Sequence, residues 1–74
     1  MSIQKAENAN WFQYHKPHGD QSLRYERIRA AGKVLADTMA ECCPDSSELT
    51  VAIRRVREAV MFANAAIACN EGEA

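Results

Sequence analysis

Aromatic and basic side chains cluster in the first half of this sequence. The aromatic members are Trp11, Phe12, Tyr14 and Tyr25, and the basic members are Lys16, Arg24, Arg27 and Arg29. Aromatic rings stack on nucleobases, and an arginine guanidinium binds a phosphate through two parallel hydrogen bonds. The cluster is therefore the best candidate for binding an anionic ligand that carries flat rings. From composition alone we favour the alternative, in which Trp11 and Phe12 cover a thin core while the charges are solvated or paired.

Arg24 lies on the apolar side of its predicted helix. A helical wheel places it with Ile28, Ala31 and Leu35, near the open end of a helix pair. A cation in that position requires an opposite charge close by. We expect the partner to be either a bound anion or an acidic side chain from another copy of the chain.

The histidines and cysteines are spaced poorly for a metal site or a catalytic pair. His15 and His18 lie at one end of a predicted helix and the adjacent Cys42 and Cys43 at the other, whereas structural zinc needs converging ligand pairs. A Cys–His pair would require Cys69 beside one of the histidines. Nucleophile elbows, phosphate-binding glycine loops and zincin motifs do not occur. We therefore expect no metal, no cofactor and no enzymatic activity.

Asn64 is the one strongly polar residue in the apolar run AVMFANAAIAC at residues 59–69. A helix that is apolar all round must be surrounded by other elements, and a chain of 74 residues cannot do this alone. The run therefore predicts an obligate oligomer. Asn64 either sets the register of an oligomer seam, which is the interpretation that we favour, or binds a ligand base or ribose.

Three helical segments are predicted to position these residues, so the expected fold class is all-α. The chain forms a single domain at 1–74, with an N-terminal element at 1–18, whose residues 2–12 form a short helix, and long helices at 20–43 and 46–70. Asp20 is expected to cap the first long helix, and Asp45 with Glu48 to form a capping box for the second. The short CPDSS connection makes the long helices antiparallel neighbours.

Each long helix carries an apolar stripe at helical spacing. The first stripe is Ile28, Ala31, Leu35, Met39 and Cys42, and the second is Leu49, Ile53, Val56, Val60, Ala63 and Ile67. The second alternates steps of four and three residues, as in a heptad seam. Two such helices form only one seam with each other.

Composition and charge exclude several other classes of protein. The net charge is −1, which favours neither a nucleic-acid polymer nor a membrane surface as partner. The apolar run is too short to span a bilayer. Because MSIQKAENAN lacks the apolar segment of a signal peptide, we expect reduced cysteines in a cytoplasm. The competing functions are a DNA- or RNA-binding regulator that uses Arg54, Arg55 and Arg57, and a structural or adaptor oligomer without a ligand.

Three segments together resemble a known family: FQYHKPHGDQ…RYERIRAAGK, ECCPDSSE and REAVMFANAAIACNE. The sequence is similar to the small phage anti-CBASS proteins that act as cyclic-oligonucleotide sponges, which are related to the phage anti-Thoeris sponges. The resemblance implies a helical hairpin with a short N-terminal element, assembled as a homo-oligomer, typically a hexamer. It also implies that the protein binds cyclic dinucleotides such as 3′,3′-cGAMP at protomer interfaces without cleaving them. Such binding would block activation of CBASS effectors in the cytoplasm of the infected bacterial host.

The resemblance also implies roles for individual residues. The tyrosine of the YH turn is Tyr14, which would stack on a base. The phosphate-binding residue of the first long helix falls at Arg29, with Arg24 and Arg27 as alternatives. Some members bind cyclic trinucleotides on a threefold axis; this chain has Cys69 where relatives have the arginine of NAAIAR, so that pocket stays an open alternative. The predicted ligand-binding residues are Phe12, Tyr14, Lys16, Arg24, Arg27 and Arg29.

Overall fold

The computed structural model describes residues 2–72 and contains three α-helices within that range. Helix α1 spans Ile3–Trp11, α2 spans Gln21–Cys42 and α3 spans Ser47–Asn70. Residues 12–20 form a non-helical connection between α1 and α2. No strand occurs between residues 2 and 72, so the predicted all-α class is confirmed.

The start of α3 differs from the predicted capping box. Ser46 is the N-cap residue, and its Oγ accepts a hydrogen bond of 3.1 Å from the Leu49 backbone N–H. The predicted box of Asp45 and Glu48 is therefore wrong, because the N-cap is one residue after Asp45. The reason is local: Ser46 adopts the extended backbone conformation from which a side chain reaches the N3 amide. Glu48 still lies in the first turn, where its negative charge interacts favourably with the positive end of the helix dipole.

Helices α2 and α3 run antiparallel, and their contact confirms the stripe of α3. All six predicted apolar positions of α3 are buried or half-buried. The stripe of α2 is partly wrong, because Ala31, Leu35 and Cys42 are exposed while Gly32 and Ala36 are half-buried. Helix α2 is rotated so that Gly32 faces α3, and no second helix in the described chain covers the remaining side of the stripe.

Gly32 lies so close to α3 that a side-chain carbon does not fit at its position. A Cβ atom added at this glycine would lie 2.4 Å from Val60 Cγ2, far inside van der Waals contact. Glycine in a helix interior costs about 1 kcal/mol relative to alanine. Its presence here is therefore explained by the space that Val60 occupies.

We expect Gly32→Ala to destabilise the protein by about 1–3 kcal/mol, because overpacking outweighs the gain in helix propensity. Val60 is β-branched, and its stiff χ1 leaves it little freedom to turn aside. Chemical denaturation followed by circular dichroism measures the change. Val60→Ala removes the clashing methyl group, so the double variant should lose less stability than the two single variants added together. If the loss of stability in the double variant equals the sum of the losses in the two single variants, this explanation is wrong.

The described chain buries very little apolar surface. Leu49 is the one hydrophobic residue buried within residues 2–72, and the chain measures 48 × 30 × 13 Å. Its accessible surface is 6009 Å², against about 4,500 Å² expected for a compact monomer of 8.2 kDa. On α3, Phe62 is 72% exposed and Met61 is 60% exposed. A single copy of the hairpin therefore lacks the core that a stable domain of this size needs.

Candidate functional site

A groove along one face of the α2–α3 hairpin contains the strongest candidate site. This groove, which we call the Arg29 groove, has a volume of about 310 Å³ and opens to solvent. Tyr25 and Arg29 are four residues apart on α2 and so share one helix face. The groove is lined by His15, Tyr25, Arg29, Asn64, Ala65 and Ala68. Its volume lies at the lower end of the range for small-molecule sites.

Arg29 is the cation of this groove and is not neutralised within the described chain. Between residues 2 and 72 it takes part in no ion pair, whereas Arg24, Lys33 and Arg55 are each paired with an acid. An exposed, unpaired guanidinium can donate two parallel hydrogen bonds to a phosphate. The half-buried ring of Tyr25 lies on the same face of α2. The groove therefore combines a phosphate-binding group with an aromatic surface.

Arg27 lies on the opposite side of α2 from Arg29. Residues two apart on an α-helix point about 200° apart, so these two arginines cannot line the same groove. A second groove of about 320 Å³ is lined by Arg24, Arg27, Ile28, Ala31 and Ile67. The structure thus divides the predicted basic–aromatic cluster between two faces of the hairpin.

The other predicted ligand residues lie at the end of α1 and in the connection that follows. Phe12 is 85% exposed and Tyr14 is 78% exposed, and Lys16 is exposed as well. Neither groove is lined by any of these three side chains. Tyr14 is the neighbour in sequence of His15, which lines the Arg29 groove.

Two hydrogen bonds hold the connection in place. Asn10 Nδ2 donates to the backbone carbonyl of Cys69 at 2.8 Å and so joins the end of α1 to the end of α3. His15 Nε2 donates to the backbone carbonyl of Asn10 at 2.7 Å. The segment that carries Tyr14 is therefore tied to α3 through the side chain of Asn10, whose partner Cys69 lies 59 residues further along the sequence.

A polar clasp of Gln21, Arg24 and Glu71 closes the open end of the hairpin. Arg24 donates through Nη1 and Nη2 to the two carboxylate oxygens of Glu71, each at 2.6 Å. Gln21, which is 3% exposed, donates through Nε2 to Glu71 at 2.9 Å. The bonds from Arg24 and Gln21, together with the positive charge of Arg24, lower the pKa of Glu71 to about 2. The bond to Glu71 and the negative charges of Asp20 and Glu71 raise the pKa of Arg24.

The contacts of Arg24 and Asp20 differ from what the sequence predicted. The acidic partner of Arg24 comes from the same chain and not from another copy, because antiparallel packing returns the end of α3 to the start of α2. Asp20 occupies the N-cap position of α2, but its carboxylate makes no capping hydrogen bond. It instead accepts a hydrogen bond from Arg24 Nε at 3.1 Å.

Acidification is expected to weaken the clasp. The pKa of Glu71 falls from an ordinary 4.5 to about 2 on folding, so its stabilisation is complete above about pH 4.5 and disappears as the pH falls through about 2. Thermal unfolding of the wild type and of Glu71→Gln should differ most above pH 4.5 and converge toward pH 2. If the difference between the two proteins does not change over this range, Glu71 does not stabilise the folded state through its charge.

Asn64 is half-buried, and its Oδ1 has no hydrogen-bond partner among the described residues. An unpaired buried oxygen costs about 1–3 kcal/mol, so a donor from outside this part of the chain would be stabilising. Asn64 lines the Arg29 groove, but its Oδ1 is enclosed within the chain, so a ligand or a second protomer would reach this oxygen only after the side chain turns. Both roles predicted for Asn64 therefore stay predictions.

The described residues show no arrangement for metal binding or thiol catalysis. Between residues 2 and 72, no three His, Cys, Asp or Glu side chains converge on a common point. The rings of His15 and His18 bind the backbone carbonyls of Asn10 and Gly72, and neither forms a hydrogen bond with the Cys69 thiol. In the same range, no helix has the length and hydrophobicity that crossing a bilayer requires.

Besides two alanines, three residues with polar side chains line the Arg29 groove although they were not in the predicted ligand-binding set. Tyr25 could have been found from its spacing, since it precedes Arg29 by four residues on a helix. Asn64 stood out as the lone polar residue of its run, but sequence alone favoured an oligomer seam. His15 carried no such indication, because its position depends on the bond from Asn10 to Cys69.

These features define a small all-helical hairpin protein with a short N-terminal helix and a basic–aromatic groove beside its long helices. The chain matches the family described as Acb2/Tad1, hairpin domain, over residues 4–68 of its 74 residues. It therefore belongs to this family of anti-CBASS and anti-Thoeris sponges, as the sequence motifs predicted. The family comprises binding domains and is not a known family of enzymes, and membership indicates binding of cyclic oligonucleotides. No curated protein and no solved structure shows significant similarity to the chain.

Proposed function

We propose that this protein is a phage anti-defence sponge that binds and sequesters cyclic dinucleotides such as 3′,3′-cGAMP without cleaving them. Sequestration in the cytoplasm of the infected host would deprive the CBASS effector of its activating signal. The observation that carries this proposal is the family match over residues 4–68. The Arg29 groove adds chemical support, because an unpaired arginine and aromatic rings suit a phosphate and a base.

The working form of the sponge is a homo-oligomer, and a hexamer is the expected assembly. The support is the excess of exposed apolar surface, since large apolar patches mark interaction sites. On α3, the exposed residues of the single chain include Met61, Phe62, Ala59, Ala65 and Ala66. Small side chains there let helices of other copies approach closely.

A two-fold seam between protomers would complete the ligand site. A cyclic dinucleotide has two phosphates and two bases, whereas one Arg29 groove offers about 310 Å³ and one arginine. Two-fold symmetry presents Arg29 and Tyr14 twice, so one symmetric ligand can engage both halves. The ring of the ligand is preorganised, which lowers the entropy cost of binding. Sequestration then requires slow release and no catalysis.

Calorimetric titration with 3′,3′-cGAMP, followed by heat denaturation and chromatography of the nucleotide, tests this proposal. Tight binding with intact nucleotide recovered is the expected result, and the stoichiometry would count the sites in the assembly. Recovery of a cleaved nucleotide would show an enzyme instead. If 3′,3′-cGAMP gives no heat, cyclic trinucleotides and signals of the ADP-ribose type are the remaining ligands to titrate. If these also give none, the sponge function is wrong.

Two further measurements on the same protein preparation test the two competing functions. A nucleic-acid regulator would bind random duplex with a steep salt dependence, and Arg55→Ala would weaken that binding. A ligand-free adaptor would gain no thermal stability from any cyclic nucleotide. The structure adds one observation here: Arg55 is paired with Glu58 at 2.6 Å and so is already partly neutralised.

A further inference from the structure

His15 has one ring nitrogen engaged within the chain and one that is not. Its Nε2 lies 2.7 Å from the carbonyl oxygen of Asn10. A carbonyl oxygen can only accept, so Nε2 carries the proton, and Nδ1 of the neutral ring is then a hydrogen-bond acceptor. Within residues 2–72, His15 makes no other hydrogen bond than this one. Nδ1 is therefore the nitrogen that remains for a ligand.

The position of the His15 ring determines which group of a ligand can donate to Nδ1. His15 lines the Arg29 groove, in which Arg29 is the one Lys or Arg side chain. Asn10, which holds the His15 ring, is itself held to the Cys69 carbonyl at 2.8 Å. The acceptor is thus fixed in the free protein, so a ligand that donates to it pays little additional ordering entropy.

We propose that His15 Nδ1 accepts a hydrogen bond from a ribose 2′-hydroxyl of the bound cyclic nucleotide, and that the site thereby selects ribonucleotides over deoxyribonucleotides. This inference rests on the proposed function, since it places a ligand phosphate on Arg29. In a 3′-linked nucleotide, the 2′-hydroxyl is on the carbon next to the one that bears the phosphate. The donors of the base lie beyond the sugar ring. In a groove of about 310 Å³, a phosphate on Arg29 therefore favours the 2′-hydroxyl as the donor nearest His15.

A cycle of two proteins and two ligands tests the assignment by calorimetry. The ligands are 3′,3′-cGAMP and its analogue that lacks both 2′-hydroxyls, and the proteins are the wild type and His15→Gln. The Gln side chain can still reach the Asn10 carbonyl with an N–H group but has nothing at the position of Nδ1. We expect the wild type to prefer the ribose ligand by about 3- to 10-fold per hydroxyl. In His15→Gln this preference should disappear while affinity for the deoxy analogue is unchanged.

A second variant separates ligand contact from positioning. His15→Asn keeps a polar group near the position of Nδ1 but loses the bond to the Asn10 carbonyl. If His15 serves only to position Tyr14, His15→Asn will weaken both ligands equally and His15→Gln will weaken neither, which overturns the proposal. An equal loss for both ligands in His15→Gln overturns it as well, because it excludes the 2′-hydroxyl. A wild type that binds neither ligand contradicts the binding of 3′,3′-cGAMP, the part of the proposed function on which this inference rests, and the assignment of His15 falls with it.

Discussion

Arg29→Ala is expected to weaken binding of 3′,3′-cGAMP by about 10- to 150-fold for each arginine that contacts the ligand. The estimate follows from the worth of a hydrogen bond to a charged group, about 1.5–3 kcal/mol. Arg29 is exposed and unpaired within the described residues, so its removal breaks no ion pair that they show. The oligomer and its thermal stability should therefore be unchanged. Titration calorimetry and light scattering on the same sample measure both quantities.

Tyr14→Ala is the companion variant for the aromatic part of the site. Loss of one base-stacking ring costs about 1–3 kcal/mol, which corresponds to about 5- to 150-fold in affinity. The ring is 78% exposed, so little packing within the chain is lost. A Tyr14→Phe variant should retain most of the affinity, because stacking needs the ring and not the hydroxyl.

Two arginines serve as matched controls for Arg29. Arg55→Ala removes the same charge from α3 at a position outside both described grooves and should leave cyclic-dinucleotide affinity unaltered. Arg27→Ala removes it from the opposite side of α2 and tests the alternative phosphate-binding residue directly. If Arg27→Ala weakens binding and Arg29→Ala does not, the site lies in the second groove and the assignment of Arg29 is wrong.

Phe62→Asp is expected to dissociate the oligomer and to lower the unfolding temperature sharply. Phe62 is 72% exposed in the single chain, and burying a phenylalanine is worth about 1.5–3 kcal/mol. An unpaired carboxylate in the same buried place adds a desolvation cost. Both terms recur at every symmetric copy of the interface. Since one chain buries only Leu49 among its described hydrophobic residues, the separated hairpin should be largely unfolded.

Phe62→Leu is the control at the same position. It shortens the side chain but keeps it apolar, so the oligomer should persist with a modest loss of stability. Light scattering coupled to size-exclusion chromatography gives the mass of each variant, and circular dichroism gives the helix content. A Phe62→Asp protein with the mass and melting temperature of the wild type would show that this face of α3 is not an interface.

Local features of the sequence sufficed to predict much of the hairpin. The six-position stripe from Leu49 to Ile67 has helical spacing, and the structure buries or half-buries every member. Pro44 and the short connection after it end α2 and start α3 within one residue of the predicted bounds. The family could also be predicted, because its motifs are contiguous stretches of chain. All of these depend on residues that are near one another in sequence.

The candidate site could be predicted only in part. The sequence placed Phe12, Tyr14, Lys16 and the arginines in one cluster, but helix geometry puts Arg27 and Arg29 on opposite sides of α2. Arg24 has its charge engaged by Glu71, 47 residues away. That pairing was not predictable from spacing, because it requires knowing which end of α3 returns to α2 and how each helix is rotated.

The sequence by itself therefore determined the helices, the apolar seam of α3 and the family, since periodicity, caps and motifs act over a few residues. Only the tertiary structure decided the rotation of α2, through the contact of Gly32 with Val60. It also paired Arg24 with Glu71 and brought His15 into the groove, where its ring binds the Asn10 carbonyl. The physical reason is that these outcomes depend on contacts between residues far apart in the chain, and those contacts form only when helices pack.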